Sequence, residues 1–72
     1  MKIVKYLSMV NEVSGIEGQK EQLKGLQNLT EKHLRRGDIS EDDSRIQLAT
    51  YTRELSELEH KKRAAIRHYL AA

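Results

Sequence analysis

The C-terminal half of the chain places its apolar residues at alternating steps of three and four positions. We call this row of positions a seam. It consists of Leu48, Tyr51, Leu55, Leu58, Lys62, Ala65, Tyr69 and Ala72, with the charged Lys62 at a position where an apolar residue is expected. Ile66 and Leu70 widen the apolar face near its end. A heptad pattern of this kind predicts an amphipathic helix that packs against another helix. Because Ser40 precedes three acidic residues, as at a helix N-terminus, we predict one helix over residues 41–70.

The middle of the chain carries a second helical pattern, over residues 16–36. Its two seam positions hold Ile16, Leu23 and Thr30 on one side and Gln19, Leu26 and His33 on the other. Basic residues in the last turn, followed by Gly37, predict that this helix ends there and that residues 37–40 form a turn. Gly18 and Gly25 lie inside the helix. Each either weakens it by about 1 kcal/mol relative to alanine or allows a neighbouring helix to approach closely.

The first segment, residues 2–13, fits two secondary structures. Ile3, Leu7 and Val10 would share one face of a helix, whereas the β-branched residues also suit a short strand. We expect a short helix over about 2–14 that ends near Ser14–Gly15, where Ser14 can cap the next helix. The predicted fold is therefore all-α and forms a single domain, 1–72. Two long antiparallel helices make a hairpin that is preceded by a short N-terminal helix.

The predicted long helices differ in length. At 1.5 Å per residue the helix over 41–70 is about 45 Å long and the helix over 16–36 is about 31 Å long. The longer helix would extend two to three turns past its partner and leave Ile66, Tyr69 and Leu70 uncovered. Either the first helix folds back over this end or another subunit covers it.

The composition predicts self-association. The chain has 72 residues, of which 38% are hydrophobic and 33% charged, and it has no cysteine. Chains of this size bury little apolar surface and usually need a disulfide, a metal or a second subunit. No disulfide is available and no closed set of metal ligands is visible, so we predict a homo-oligomeric helical bundle. Its predicted interface comprises Leu48, Tyr51, Leu55, Leu58, Ala65, Ile66 and Leu70.

A basic cluster near the C-terminus is the candidate binding site. Basic side chains can bind an anionic, nucleotide-like ligand, and a tyrosine can stack on a base. The alternative is a helix end whose cations favour the dipole and stay solvated, with Lys62 fixing the register of a coiled coil. The predicted ligand-binding residues are Lys61, Lys62, Arg63, Arg67 and Tyr69, joined by Lys5 if the first helix folds back.

Catalytic and metal chemistry find little support in the sequence. Glu57 and His60 have the Glu-x-x-His spacing of di-iron bundles, but both lie off the seam. Ser56 lies one turn from His60, yet no aspartate is placed to orient that histidine. We therefore expect no enzyme, no cofactor and no metal.

The functional prediction is a non-enzymatic binding protein. It would act as a homo-oligomer that sequesters or blocks a partner, either a protein or a small anionic ligand. The alternatives are a structural adaptor or chaperone that engages a partner helix, and a small DNA-binding regulator, which a net charge of +2 permits without favouring.

The location predicted from the sequence is the cytoplasm of a bacterium or of an infected host cell. No stretch approaches the roughly 20 apolar residues of a membrane span, and the interrupted apolar start is not typical of a signal peptide. The small, cysteine-free and charge-rich helical build is typical of phage or mobile-element accessory proteins.

Overall fold

A computed structural model of the chain describes residues 2–71, which form two α-helices. Helix α1 spans Lys2–Arg36 and helix α2 spans Glu41–Leu70. The helices lie antiparallel in a hairpin with a long dimension of 55 Å. The predicted all-helical hairpin is confirmed. Ala72, the last residue of the predicted seam, lies outside the described residues.

The end of α1 is set by a glycine. Gly37 has a φ of +78°, a left-handed conformation that residues with a side chain rarely adopt. Its N–H donates to the carbonyl of Leu34 at 3.1 Å, and the N–H of Asp38 donates to the carbonyl of His33 at 2.9 Å. This Schellman pair satisfies carbonyls that a helix end leaves free. The chain therefore turns where the sequence predicts.

The start of α2 uses the predicted cap. Ser40 Oγ accepts the backbone N–H of Asp43 at 3.1 Å. Glu41, Asp42 and Asp43 occupy the first turn, where carboxylates favour the positive end of the helix dipole. The cap and the first turn form between residues that are close together in the sequence. Because such local patterns can be recognised without the fold, α2 begins where the sequence predicts.

Helix α1 corrects the prediction of a separate N-terminal helix. It runs without a break through Ser14–Gly15, so residues 2–13 form neither a strand nor a helix of their own. A glycine inside a helix costs about 1 kcal/mol, whereas a break gives up the hydrogen bonds of a turn. Val13 and Ile16, on either side of Gly15, both lie on the face toward α2. A continuous helix keeps both against α2.

The difference in helix length is the reverse of the predicted one. The ion pairs Lys20–Glu59 and Glu17–Lys62 set a register in which the end of α2 lies beside Met9. The continuous α1 therefore covers α2 from the turn to its C-terminal end without folding back. Its own first two turns extend past α2.

The contact between the helices is a narrow seam. A row of α1 positions at heptad spacing is buried or half-buried, and it consists of Met9, Val13, Ile16, Lys20, Leu23, Gln27, Thr30 and Leu34. Within residues 3–71, the buried apolar side chains are Ile16, Leu58 and Ala65. The hairpin thus holds together with a very small apolar core.

The second seam position of α1 is not the predicted one, which held Gln19, Leu26 and His33. Lys20 and Gln27 lie on the seam instead, and Leu26 is 42% exposed. The polar residues find partners on α2, because Lys20 Nζ lies 2.7 Å from Glu59 Oε2 and Gln27 Nε2 lies 3.4 Å from Thr52 Oγ1. These bonds offset the cost of placing polar groups in the contact.

Two glycine substitutions should shift stability in opposite directions. Gly15→Ala should raise the free energy of unfolding by about 0.5 to 1 kcal/mol, because alanine favours a helix and the added methyl group meets open space. Gly37→Ala should lower it by about 1 kcal/mol, because a φ of +78° strains alanine. Urea denaturation followed by far-UV circular dichroism at one protein concentration measures both. Shifts of the same sign would contradict the turn geometry.

Candidate functional site

The basic cluster occupies the last three turns of α2. Lys61 and Lys62 lie on different sides of the helix, because successive residues are about 100° apart. Lys61 is exposed, whereas Lys62 is half-buried on the seam. A third side lines an open depression of about 450 Å³, formed by His60, Arg63, Ile66 and Arg67. The cluster is therefore divided between solvent and the contact with α1.

Alternating charges link this cluster to α1. Lys62 Nζ lies 2.8 Å from Glu17 Oε1, and Lys20 Nζ lies 2.7 Å from Glu59 Oε2. Two longer contacts complete the network, Lys20–Glu17 at 3.5 Å and Arg63–Glu59 at 3.7 Å. Two of the predicted ligand-binding cations, Lys62 and Arg63, are thus already paired with carboxylates. This charge network crosses the hairpin and joins both helices.

The network changes the acidity of its members. The hydrogen bond from Lys62 holds the pKa of Glu17 below its usual 4.5, and the hydrogen bond from Lys20 does the same for Glu59. The Glu59 carboxylate in turn raises the pKa of Lys20 above 10.5. Each shift favours the charged form, so Glu17, Lys20 and Glu59 are all charged at neutral pH.

Three members of this network are not predicted from the sequence. Glu17, Lys20 and Glu59 are absent from the predicted set of ligand-binding residues. A usable signal was present, because Lys20 has the heptad position of Val13 and Leu34 and thus belongs to the seam. Each seam lysine meets a glutamate that lies beside the seam of the other helix, and opposite charges at such flanking positions of paired helices predict an ion pair.

Tyr69 connects the end of α2 to α1. A hydrogen bond to the Glu12 carboxylate raises the pKa of the Tyr69 hydroxyl above 10.0. The ring also meets the edge of His68, with 5.2 Å between the ring centroids. Tyr69 therefore serves the contact between the two helices, and a base that stacked on it would compete with these interactions.

Lys5 lies apart from the basic cluster. It belongs to the first turns of α1, which extend past α2, and twelve residues separate it from Glu17. At 1.5 Å per residue this is about 18 Å along the helix axis. Because α1 is continuous and does not fold back, the structure does not bring Lys5 to Lys62.

The predicted oligomer interface lies mostly within the hairpin. Leu58 and Ala65 are buried, and Leu70 is 69% exposed. The half-buried members of the set are Leu48, Tyr51, Leu55 and Ile66. Contact with α1 accounts for the burial seen here, and a role of these residues between subunits stays a prediction.

Metal-site geometry, membrane-spanning character and similarity to known proteins assign no function to the chain. Among residues 2–71, no group of three histidine, aspartate or glutamate side chains is arranged to hold a metal ion. Neither α1 nor α2 combines the length and apolar character needed to cross a membrane. No family model, curated protein or solved structure matches this chain.

Acid should destabilise the hairpin in part through Glu17 and Glu59. Their pKa values lie below 4.5 in the folded chain, so their contribution is fully present above pH 4.5 and is lost as the pH falls through the lowered values. Replacing both by glutamine should lower the Tm at neutral pH and flatten its fall on acidification to about pH 3. Calorimetry across this range measures both effects.

The matched control for this experiment is Glu54→Gln with Glu57→Gln. Both residues are exposed, and neither forms an ion pair with a side chain of residues 3–71. The control should keep the acid profile of the original chain. If the Glu17 and Glu59 variant keeps that profile too, the network does not stabilise the fold.

Proposed function

We propose that this chain is a non-enzymatic binding protein that works as a homo-oligomer of hairpins and sequesters or blocks a partner. The observation that carries the proposal is the amount of surface left open. The hairpin exposes 5649 Å², whereas a compact monomer of 8.3 kDa would expose about 4,600 Å². The excess of about 1,000 Å² is similar to the area of about 800 Å² that each partner buries in a standard interface.

The small core supports the same conclusion. Two long helices must be ordered, at a cost of about 1 to 2 kcal/mol per residue in backbone entropy alone. Against this, much of the apolar surface remains in water. The exposed large apolar side chains include Ile3, Val4, Tyr6, Leu7, Val10, Leu26, Leu29, Ile46 and Leu70. Association would bury part of this set and add the stability that one hairpin lacks.

The partner favoured by this surface is a protein. The exposed apolar side chains lie along helices, and an amphipathic helix of another protein is the usual occupant of such a surface. A binding protein of this kind acts by covering its partner's surface and needs no catalytic group. A structural adaptor or chaperone that engages a partner helix would use the same surface and is the alternative. The cytoplasmic location and the phage or mobile-element origin stay predictions from the sequence.

The homo-oligomer should be visible as a mass that is a whole multiple of 8.3 kDa. Light scattering during gel filtration and native mass spectrometry measure this mass at micromolar concentration. The Tm should also rise with protein concentration, because association stabilises only the folded chain. A monomer at every concentration, with a constant Tm, would contradict the proposal.

A second candidate function is binding of a small anionic ligand at the depression beside Arg67. Within residues 2–71, Arg67 has no carboxylate partner, whereas Lys62 and Arg63 are paired in the charge network. An unpaired guanidinium is well suited to a phosphate, because it can donate two parallel hydrogen bonds. His60 and Arg63 line the same depression and add donors.

Arg67→Glu should weaken binding of a nucleotide at least about tenfold while leaving helicity unchanged, because one strong charge-assisted contact is lost. Calorimetric titration with a panel of mononucleotides and cyclic nucleotides measures this effect. The matched control is Arg53→Glu, a charge reversal of an exposed residue about 21 Å along the helix axis from Arg67. Lys62→Glu is less informative, because it places a like charge beside Glu17 and disturbs the fold. If no nucleotide binds, this second candidate is wrong. Binding to duplex DNA that weakens steeply with salt would instead support a DNA-binding regulator.

A further inference from the structure

The first two turns of α1, which extend past α2, concentrate exposed apolar side chains. We call residues 2–8 the overhang, and its base lies where α2 ends beside Met9. Among residues 3–71 nine large apolar side chains are exposed, and six of them belong to the overhang or its base. The six are Ile3, Val4, Tyr6, Leu7, Val10 and Leu70. A concentration of this kind at one end of the hairpin marks a binding surface.

The same end carries the whole formal excess of positive charge. Residues 1–11 contain Lys2 and Lys5, and the first acidic residue of the chain is Glu12. The other eleven lysines and arginines are balanced by all eleven aspartates and glutamates, so residues 12–72 have no net charge. The first turn of α1 also contains no acidic residue, although a helix N-terminus is the positive end of the dipole. Cations there disfavour the helix itself, whereas an anionic surface would complement them.

The apolar and polar residues of this segment lie on different sides of the helix. The apolar side has helical spacing and consists of Ile3, Tyr6, Leu7 and Val10, with Val4 at its border. Lys5 and Ser8 are about 200° and 140° from Ile3 around the axis, and both are exposed. Such a segment suits the boundary between lipid and water, where apolar side chains enter the acyl region, a tyrosine ring lies at headgroup level and lysines reach the phosphates.

We infer that the overhang binds the surface of an anionic lipid membrane, with its apolar side inserted among the lipids and Lys5 directed to the headgroups. Two turns are about 11 Å long, too short to cross the hydrocarbon core of about 30 Å, so the overhang lies at the surface. The inference does not depend on the proposed homo-oligomer, because one hairpin already presents the overhang.

Charge and shape favour a membrane over other occupants. Two overhangs of this chain that packed together would bring their lysines and helix N-termini together, and like charges repel. The overhang protrudes beyond α2, so no second helix forms a groove with it. A protein partner would have to supply a complete apolar groove with an acidic rim, whereas lipids adapt to a protruding helix end. The cytoplasmic leaflet is anionic, so the location expected from the sequence offers this surface.

Sedimentation of the full chain with lipid vesicles tests the inference. Vesicles of phosphatidylcholine with about one third phosphatidylserine should bind the chain at least about tenfold more strongly than vesicles of phosphatidylcholine alone. Binding should weaken as salt is raised to about 0.5 M, because salt screens the attraction between the lysines and the headgroups. If the chain does not bind the anionic vesicles, or binds both kinds equally, the inference is wrong.

Paired substitutions locate the membrane site. Leu7→Asp and Lys5→Glu should each weaken binding to the anionic vesicles at least about tenfold, because one removes an inserted side chain and the other reverses a charge near the headgroups. Lys5→Glu also places an acid at the helix N-terminus, which favours the helix, so weaker binding would not reflect unfolding. Circular dichroism should show intact helices in both variants.

The matched controls are Ile46→Asp and Lys32→Glu. They make the same changes at exposed positions near the turn, at the opposite end of the hairpin. Both should bind the anionic vesicles as strongly as the original chain. If the controls weaken binding as much as Leu7→Asp and Lys5→Glu do, the overhang is not the membrane site and the inference is wrong.

A fluorescent label reports insertion directly, because the chain has no cysteine of its own. Leu7→Cys labelled with a polarity-sensitive dye should show blue-shifted emission with the anionic vesicles, whereas labelled Ile46→Cys should not. If Leu7→Asp instead lowers the mass of an oligomer in solution and leaves vesicle binding unchanged, a second copy covers the overhang and the inference is wrong, while the homo-oligomer stands. A chain that is a monomer in solution and binds the vesicles through the overhang would support the inference and contradict the homo-oligomer.

Discussion

The register of the hairpin depends on the charge network of Glu17, Lys20, Glu59 and Lys62. The apolar seam alone is a weak constraint, because few side chains are fully buried and several seam positions are polar. Charged pairs are more selective, since sliding one helix by a turn would place like charges together or leave cations without a partner. With this register fixed, Tyr69 meets Glu12, the end of α2 lies beside Met9 and the first two turns of α1 are left without a covering helix.

The parts of the fold that the sequence predicts well are the parts that local chemistry decides. The turn and the start of α2 depend on Gly37 and Ser40, whose backbone preference and capping oxygen act on neighbouring residues. The continuity of α1 depends instead on packing. Ser14 and Gly15 resemble a helix boundary in sequence, and only the contact of residues on both sides with α2 shows that the helix continues.

The sequence predicts only part of the candidate site, because the rest of the site depends on how the two helices pack. The cations near the end of α2 are evident from the sequence, but Glu17, the partner of Lys62, lies more than forty residues earlier and becomes apparent only with the register. Lys20 is not evident as a seam residue because a charged side chain breaks the hydrophobic pattern that defines the seam. The structure thus converts part of an expected anion site into an internal network, and among the side chains of residues 3–71 it leaves Lys61 and Arg67 without a carboxylate partner.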